Sequence, residues 1–446
     1  GGLSISRPIV VLGDTAADGS RPTIAGNSGE DAVVLNSPGS VEIHNFAITG
    51  YSTAFVVMGP SRALFRGVRV GGAEYGVRVR APAGSVRVER SRFAGSRQAC
   101  EGWCGYGVRA EAVVDTLTIE DSDISEFGYG VYDEYMQVDS LTIRRSLLHD
   151  FGSSAVYVSD YCYYCTAPEP GVSRPAGRAP RAGTPPPQRG PQGDAPTSQA
   201  IVIEGSRLAR SGSYLVGLYS ELRRVALAHS TFSNPSGGVL SAQSYNSGYL
   251  SMTGDSIVAP PDQQHYQWLN ARDLDSVVVD SVMAVGFQYG DVSYTPLIRV
   301  SNSTFRDVRG YALQVSPSSN GAVLDIDNVG IYGDPRDDLR ASGLVTGYYG
   351  GGVRMTANRL TAVNLYEGVY AANNDSSTTV TNSLFQHVEY PIEWWPYNSP
   401  APDSIGLTVR NTTFRGFYYA VVADDGTLVA DSNTFVNGNT AIYGSS

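Results

Sequence analysis

Apolar and polar positions along the chain follow a short pattern that is typical of strands joined by tight turns. In residues 117–132, LTIEDSDISEFGYGVY, the apolar Leu117 and Ile119 alternate with polar residues, which predicts a short strand with both side chains on one face. Ser122 predicts a turn, after which Ile124 faces the same interior, and the glycines that follow predict a second turn. Such a segment buries little surface alone, so the pattern predicts similar segments stacked on it.

Copies of this pattern recur through most of the chain. Apolar residues mostly hold positions 1, 3 and 8 of each copy, and position 6 is mostly Ser, Asn or Thr. About 15 copies lie mostly 21 to 31 residues apart, with one interval near 60, and a period in this range indicates a solenoid. The residues at position 1 are Val41, Ala63, Val86, Leu117, Leu141, Ile201, Val225, Leu250, Val277, Ile298, Leu324, Val353, Thr378, Leu407 and Leu428.

The residue types within the copies select the kind of solenoid. Short runs rich in Val, Ile, Phe and Thr between Gly, Asn, Ser and Asp predict strands and turns, and neither helix-length amphipathic runs nor a leucine–asparagine consensus occurs. On these features the chain resembles the right-handed parallel β-helix superfamily of pectate lyases, polygalacturonases and phage tailspikes. The resemblance covers nearly the whole chain and implies an all-β, right-handed parallel β-helix of about 15 coils with loop insertions. It implies no particular activity, because this fold hosts many functions.

Length and composition fit one elongated domain. Because a solenoid grows by adding coils, residues 1–446 are expected to form a single parallel β-helix, with the proline-rich residues 166–200 as a loop insertion that explains the long interval. No run of 18 apolar residues is present, so no membrane span is expected. The net charge is −11, and all 32 basic residues are arginines scattered along the chain, which argues against a nucleic-acid partner.

The two ends of the repeat carry no amphipathic helix of the kind that covers the end coils of many β-helices. An open end exposes apolar side chains and unpaired strand edges. Either the chain is a fragment, or caps lie in loops without a recognisable pattern, or coil 1 of one molecule stacks on coil 15 of the next. This last contact is heterologous and does not close, so it would produce a filament.

The favoured hypothesis is therefore an extracellular or cell-surface structural protein, such as a subunit of a surface fibre, a sheath or an adhesin, that assembles head to tail. The alternatives are a carbohydrate-active enzyme (a polysaccharide lyase or glycoside hydrolase) and a carbohydrate-binding β-helix, either with a polysaccharide as partner. The structural hypothesis leads because the polygalacturonase pattern of Asn-Thr-Asp, Asp-Asp and Gly-His-Gly is missing from the chain.

If the protein is an enzyme, the best cluster of acids is Glu111, Asp133 and Glu134, with His149 nearby. Aligning Val108 with Val131 places Glu111 and Glu134 on neighbouring coils, where two carboxylates about 5 Å apart would suit a retaining glycosidase. His149 is expected on the same face. A solvated acidic turn is the ordinary explanation of these residues.

A second motif, tyrosine followed by a small residue or proline and then an aliphatic residue, recurs along the chain. Equivalent positions of adjacent coils lie about 4.8 Å apart, so Tyr106 and Tyr129 are expected to stack. Trp103, Tyr106, Tyr129 and Tyr135 are the candidates for stacking against sugar rings, whose faces are apolar. The alternative is a stack of rings that only rigidifies a turn.

Two cysteine pairs interrupt the repeat: Cys100 with Cys104, and Cys162 with Cys165. Disulfides are expected in a secreted solenoid, whereas four thiolates at these spacings could instead hold zinc. Haem attachment is excluded because no histidine follows either pair.

Three asparagines lie in Asn-x-Ser/Thr sequons and are candidate glycosylation sites: Asn302, Asn374 and Asn411. The histidines form no metal-ligand spacing, and no cofactor is expected. Calcium is a weaker prediction from the aspartate-rich turns at Asp325, Asp327, Asp424 and Asp425.

Overall fold

The computed structural model describes residues 2–17, 19–27, 29–96, 105–159, 199–244, 248–260, 266–317, 321–336, 341–346, 352–372, 377–395, 406–424 and 426–445. Within these ranges the chain forms 45 strands and no helix.

The first fifteen strands are β1 Leu3–Ile5, β2 Ile9–Leu12, β3 Thr23–Ala25, β4 Asp31–Leu35, β5 Ser40–His44, β6 Ala47–Thr49, β7 Thr53–Met58, β8 Arg62–Arg66, β9 Arg69–Ala73, β10 Tyr75–Ala81, β11 Ala83–Glu89, β12 Arg92–Gly95, β13 Tyr106–Ala110, β14 Val114–Glu120 and β15 Asp123–Ser125. The next fifteen are β16 Tyr129–Glu134, β17 Val138–Arg144, β18 Leu147–Phe151, β19 Val156–Ser159, β20 Gln199–Glu204, β21 Arg207–Ser211, β22 Tyr214–Tyr219, β23 Leu222–Ala228, β24 Thr231–Pro235, β25 Gly238–Gln243, β26 Tyr249–Thr253, β27 Ser256–Val258, β28 Gln267–Arg272, β29 Ser276–Asp280 and β30 Met283–Val285. The last fifteen are β31 Tyr289–Ser293, β32 Leu297–Ser301, β33 Thr304–Val308, β34 Tyr311–Ser316, β35 Ala322–Gly333, β36 Ser342–Thr346, β37 Val353–Ala371, β38 Thr378–Thr381, β39 Leu384–Trp394, β40 Gly406–Arg410, β41 Thr413–Arg415, β42 Tyr419–Asp424, β43 Thr427–Asp431, β44 Thr434–Val436 and β45 Thr440–Ser445.

The strands form three rows, because from β1 to β32 each strand pairs in parallel with the strand three places later. Row 1 starts at β1 and ends at β45, row 2 starts at β2 and ends at β43, and row 3 starts at β3 and ends at β44. Near the C-terminal end, β35, β37 and β39 are long enough to contribute to more than one row. The all-β parallel β-helix predicted from the repeat is confirmed.

Row 2 has one strand more than the 15 copies found in the sequence. Its strands are β2, β5, β8, β11, β14, β17, β20, β23, β26, β29, β32, β35, β37, β38, β40 and β43, which makes 16. The added strand is β2, whose Ile9 pairs with Val41 of the first copy. The long interval does not disturb the register, because Leu141 pairs directly with Ile201 across it. The predicted insertion at residues 166–200 otherwise lies outside the described residues, apart from its last two.

One predicted copy is wrong by two residues. The sequence pattern placed Val353 and Met355 at positions 1 and 3 of the twelfth copy, but Leu324 pairs with Met355 and Ile326 with Ala357. Val353, Met355 and Ala357 all point into the core. A slip of two residues keeps every side chain on its face, so alternation alone cannot detect it.

The corner between rows 2 and 3 explains the polar residue at position 6. The residue before position 6 has a left-handed backbone in most coils, as at Arg90, Asp121, Arg145 and His229, with φ between 45° and 50°. The next residue is a buried serine whose hydroxyl accepts a hydrogen bond from the backbone N–H of the equivalent residue one coil earlier. These N–H to Oγ bonds join Ser91 to Ser122, Ser122 to Ser146, Ser146 to Ser206 and Ser206 to Ser230 at 3.1–3.2 Å. This serine ladder satisfies polar groups that the turn would otherwise bury unpaired.

The interior is one continuous apolar core that extends from Ile5 to Val421. Equivalent inward side chains stack along the axis, as in the column Phe385, Phe414 and Phe435, whose neighbouring ring centroids are 5.3 and 5.1 Å apart. The outward side chains of the three rows are therefore the surfaces on which a site can be built.

Candidate functional site

The outward side of row 1 carries a continuous line of aromatic and charged residues, which we call the tyrosine face. Tyr75, Tyr106 and Tyr129 occupy equivalent positions of β10, β13 and β16. Three residues further along the same strands lie Arg78, Arg109 and Tyr132. The small residue after each tyrosine is required by close packing, because a Cβ on Gly107 would lie 2.5 Å from the carbonyl oxygen of Gly130.

Ring stacking in the N-terminal half of the tyrosine face matches the prediction for Tyr106 and Tyr129. Their centroids are 5.7 Å apart with planes within 7° of parallel, and Tyr75 stacks on Tyr106 at 5.4 Å. Tyr132 continues the line by stacking on Tyr157 at 5.5 Å. Tyr129 is buried among its neighbours, so its ring faces are occupied by protein.

Glu111 lies beside this stack and is paired with arginines. Its carboxylate is 2.9 Å from Arg78 Nη2 and 3.0 Å from Arg109 Nε. The guanidinium of Arg109 in turn lies over the ring of Tyr106, 4.8 Å from its centroid. Glu111 therefore pairs with two arginines, each of which lies over a tyrosine ring.

The register expected for the acid pair is correct, since Val108 pairs with Val131 and Ala110 with Asp133. The strand that holds Glu134 pairs on with β19, but the Glu134 side chain lies outside the described residues. Whether Glu111 and Glu134 act as a pair stays a prediction.

Asp133 points into the solenoid rather than onto the tyrosine face. It takes an inward position between Ala110 and Val158 and is only 1% exposed. Its carboxylate accepts hydrogen bonds from the backbone N–H groups of Gln137 and Val138 at 2.7 and 3.2 Å. It also accepts one from the buried side-chain amide of Gln199, so Asp133 fixes the turn that follows β16.

His149 belongs to row 3 and is separated from the acids of row 1. Its Nε2 is 3.1 Å from Asp123 and its Nδ1 is 2.6 Å from Asp150. Arg210 also contacts Asp150, and its hydrogen bond to that carboxylate is the main reason that the pKa of Asp150 lies far below its usual value. The expectation that His149 lies on the same face as Glu111 is therefore wrong, because it belongs to β18 and Glu111 follows β13.

The C-terminal half of the tyrosine face carries a carboxyl pair that the sequence analysis missed. Glu367 pairs across the strands with Tyr390, and Tyr370 pairs with Glu393, so the two glutamates are diagonal neighbours. Their carboxyl groups share a hydrogen bond, and the Ser342 hydroxyl donates a second one to Glu367 at 2.7 Å.

Burial and mutual repulsion shift the acidity of this pair. Burial first, and the charge of Glu367 second, raise the pKa of Glu393 to about 7, and burial also raises the pKa of Glu367. Tyr390 lies alongside, where burial and the charges of neighbouring residues raise its pKa to about 12. One proton shared by two carboxyls near neutral pH can serve as both donor and acceptor.

Aromatic rings surround the carboxyl pair. Tyr366 packs edge-on against Tyr390 at 5.1 Å, and Tyr390 stacks on Tyr419 at 6.0 Å. Tyr366 and Tyr418 are exposed, which leaves ring surface accessible beside polar hydrogen-bonding groups. A signal for this site existed in the sequence, because Glu367-Gly-Val-Tyr370 has the same frame as the tyrosine motif Tyr390-Pro-Ile-Glu393.

Several predicted site residues lie outside the described residues, and their predictions are untested: Trp103, Cys100, Cys104, Cys162, Cys165, Asn374 and Asp425. Tyr135 is exposed and has a left-handed backbone with φ 64°. Asn411 is exposed, whereas the side-chain amide of Asn302 donates to Asp280 at 2.9 Å and its carbonyl accepts from Asn328 at 2.9 Å. A glycan on Asn302 would have to break this amide ladder.

The aspartates suggested for calcium mostly face arginines. Asp325 is 3.5 Å from Arg299 Nε, and Arg359 donates two hydrogen bonds to Asp327. Within the described ranges no group of three or more His, Cys, Asp or Glu side chains is arranged to hold a metal ion. Calcium stays a prediction.

The fold and the tyrosine face define a parallel β-helix solenoid with an aromatic and acidic outer surface. No family model, curated protein or solved structure matches the chain. The fold is that of a parallel β-helix, and membership in the right-handed parallel β-helix superfamily stays a prediction. In the described part of the chain, no helix could cross a membrane.

Proposed function

We propose that this protein is an extracellular structural β-solenoid that assembles head to tail through its two end coils. The observation that supports the proposal is the exposure of inward-facing apolar residues at both ends of the described chain. In row 1, Leu3 is 44% exposed and Ile442 is 43% exposed, although both occupy positions that are fully buried in the intervening coils.

The same inward columns of side chains end at both faces. Following the strand pairing along each row, Leu3 corresponds to Ile442, Ile9 to Leu428, and Ile24 to Phe435. In two further columns a larger N-terminal residue corresponds to a smaller C-terminal one: Ile5 to Gly444 and Val11 to Ala430. A second copy whose first strands pair with the last strands of this one would bury the exposed apolar side chains at both ends.

Electron microscopy and sedimentation of the full chain at low micromolar concentration test the proposal. Row 1 has 17 strands and rows 2 and 3 have 16 each, so a spacing of about 4.8 Å gives an expected axial repeat of about 80 Å. Leu3→Arg and Ile442→Arg should each abolish filaments, because each places a charge in an apolar contact. Met283→Arg is the matched control, since Met283 is 45% exposed on the outside of row 3 and should leave filaments intact.

Mixing the two end variants makes the test specific for a head-to-tail contact. Each variant alone should stay monomeric, whereas the mixture should form dimers and nothing longer, because only one intact pair of ends remains. Wild-type protein that stays monomeric at these concentrations, or filaments that persist in Ile442→Arg, would contradict the proposal.

A second candidate function is carbohydrate binding on the C-terminal half of the tyrosine face. The exposed ring of Tyr366 beside the Glu367–Glu393 pair supports it, since sugars present apolar ring faces and hydroxyl groups together. Retaining hydrolysis fits less well, because it needs carboxyl groups about 5 Å apart, whereas this pair is in direct hydrogen-bonding contact.

A further inference from the structure

An open groove follows the corner between rows 2 and 3, away from the tyrosine face, and begins at Arg21 in the first coil. Its volume is about 800 Å³, and its lining residues span six levels of row 3, from Arg69 in β9 to Thr231 in β24. Six arginines line it: Arg21, Arg69, Arg90, Arg92, Arg145 and Arg207.

The two carboxylates that line the groove, Asp121 and Asp123, pair with two of its six arginines. Asp121 accepts from Arg145 Nε at 2.8 Å, and Asp123 lies 3.6 Å from Arg92 Nε and 3.1 Å from His149 Nε2. By contrast, Arg21, Arg69 and Arg207 form no ion pair with any described residue. The groove therefore carries positive charge that the described protein does not neutralise.

Two of the six arginines that line the groove are direct neighbours. Arg69 and Arg92 pair across β9 and β12, about 4.8 Å apart along the axis, and like charges directly opposite are destabilising. Arg21 is a third positive charge near Arg69. Its pKa is lowered, first by burial and second by the charge of Arg69. Arg207 lies three strands beyond Arg92 in the same column, roughly 14 Å along the axis.

We propose that this groove binds a linear sulfated polysaccharide lying parallel to the solenoid axis. The planar guanidinium group matches the geometry of oxyanions and can bind them through two hydrogen bonds. Sulfate esters can occupy several hydroxyls of one sugar, whereas a polyuronate carries one carboxylate per sugar, so the adjacent Arg69 and Arg92 suit the denser charge. Nucleic acid fits poorly, because none of the lining residues is Phe, Tyr or Trp and the chain has a net charge of −11.

The test compares two double variants that remove the same charge. Arg69→Ser with Arg92→Ser removes the adjacent pair from the groove, and Arg224→Ser with Arg354→Ser removes two exposed arginines of row 2. Both are prepared with Ile442→Arg, so that chain association does not add avidity. Binding to dextran sulfate is measured by calorimetry over a range of salt concentrations, with melting curves as the control for folding.

The groove variant should bind dextran sulfate at least 10-fold more weakly than the parent, with a salt dependence shallower by about two released counterions. The row 2 variant should change affinity less than 2-fold, and uncharged dextran should not bind. Equal losses in the two double variants would overturn the proposal. Binding of polygalacturonate, polyphosphate or single-stranded DNA as tight as that of dextran sulfate would overturn the assignment to sulfated sugars.

Discussion

In the N-terminal half of the tyrosine face, Arg78 and Arg109 pair with Glu111 and lie over tyrosine rings. In the C-terminal half, Glu367 and Glu393 face each other, and neither forms an ion pair with an arginine of the described chain. Both groups project outward from row 1. On the same backbone, the negative charge of the carboxyl groups is therefore compensated by arginine in one half and by a shared proton in the other.

This difference separates two roles for a charged residue on a repetitive surface. A carboxylate between arginines is stabilised at every pH at which it is ionised, and its removal leaves cations without a partner. A carboxyl pair is stable only while one member keeps its proton, so it responds to pH. The first arrangement fixes structure, and the second provides a group that can exchange protons or hydrogen bonds with a ligand.

The largest expected effect is in the N-terminal half, at Asp133. Asp133→Ala should lower the free energy of unfolding by about 3 kcal/mol, because it leaves two backbone N–H groups and one of the two N–H groups of the Gln199 amide buried without an acceptor. Denaturant unfolding at pH 7 measures this. Asp139→Ala is the control, since 42% of the Asp139 side chain is exposed and its contact with Arg223 is 3.5 Å long. Equal losses in the two variants would mean that Asp133 does not fix its turn.

The second prediction compares the two halves through pH. Folding raises the pKa of Glu393 from 4.5 to about 7. The contribution of this carboxyl group to the free energy of unfolding is therefore complete below pH 4.5 and is lost as the pH rises through 7. Between pH 5 and pH 8 the wild type should lose about 1–2 kcal/mol at this site, allowing for partial exposure to solvent. Glu393→Gln should remove this slope and raise the melting temperature at pH 8.

Glu111→Gln should act in the opposite direction at pH 8, because Arg78 and Arg109 lose their carboxylate. Melting curves of both variants at pH 5 and pH 8 make the comparison. If the two substitutions change stability in the same direction at pH 8, the two halves are not electrostatically different as described.

The smallest effect on stability is expected at Tyr366, which is 37% exposed. Tyr366→Ser should change the free energy of unfolding by less than about 0.5 kcal/mol. It should nevertheless weaken binding of a neutral polysaccharide roughly 5-fold, which corresponds to about 1 kcal/mol of ring contact. Affinity electrophoresis against a panel of neutral glycans measures this. Tyr249→Ser, at an exposed tyrosine of row 2, should have no effect on binding.

The sequence was sufficient to predict the rows and part of the tyrosine face, because both depend on spacing alone. Leu117, Leu141 and Ile201 occur at intervals that place them opposite one another, and the pairing follows that order. The contact between Tyr106 and Tyr129 was predictable for the same reason. The slip at Val353 marks the limit, because only pairing with the neighbouring coil distinguishes registers that differ by two residues.

The Glu367–Glu393 pair could not be predicted from spacing alone. Its frame is visible in the sequence, but whether two diagonal carboxyls meet depends on side-chain rotamers and on the burial around Tyr390. Asp133 shows the reverse difficulty. Alternation with Val131 places Asp133 on the inward face, but the sequence does not show how a buried carboxylate is satisfied there, because one of its donors, Gln199, lies 66 residues away.

The serine ladder at the corner between rows 2 and 3 has a consequence for how such molecules change length. Each serine hydroxyl from Ser122 through Ser230 accepts a hydrogen bond from the backbone N–H of the preceding coil in the same way. Removing one coil within this run would bring together two faces whose ladder donors and acceptors already match, and no polar group of the ladder would lose its partner. The length of this solenoid can therefore change in steps of one coil without breaking the serine ladder.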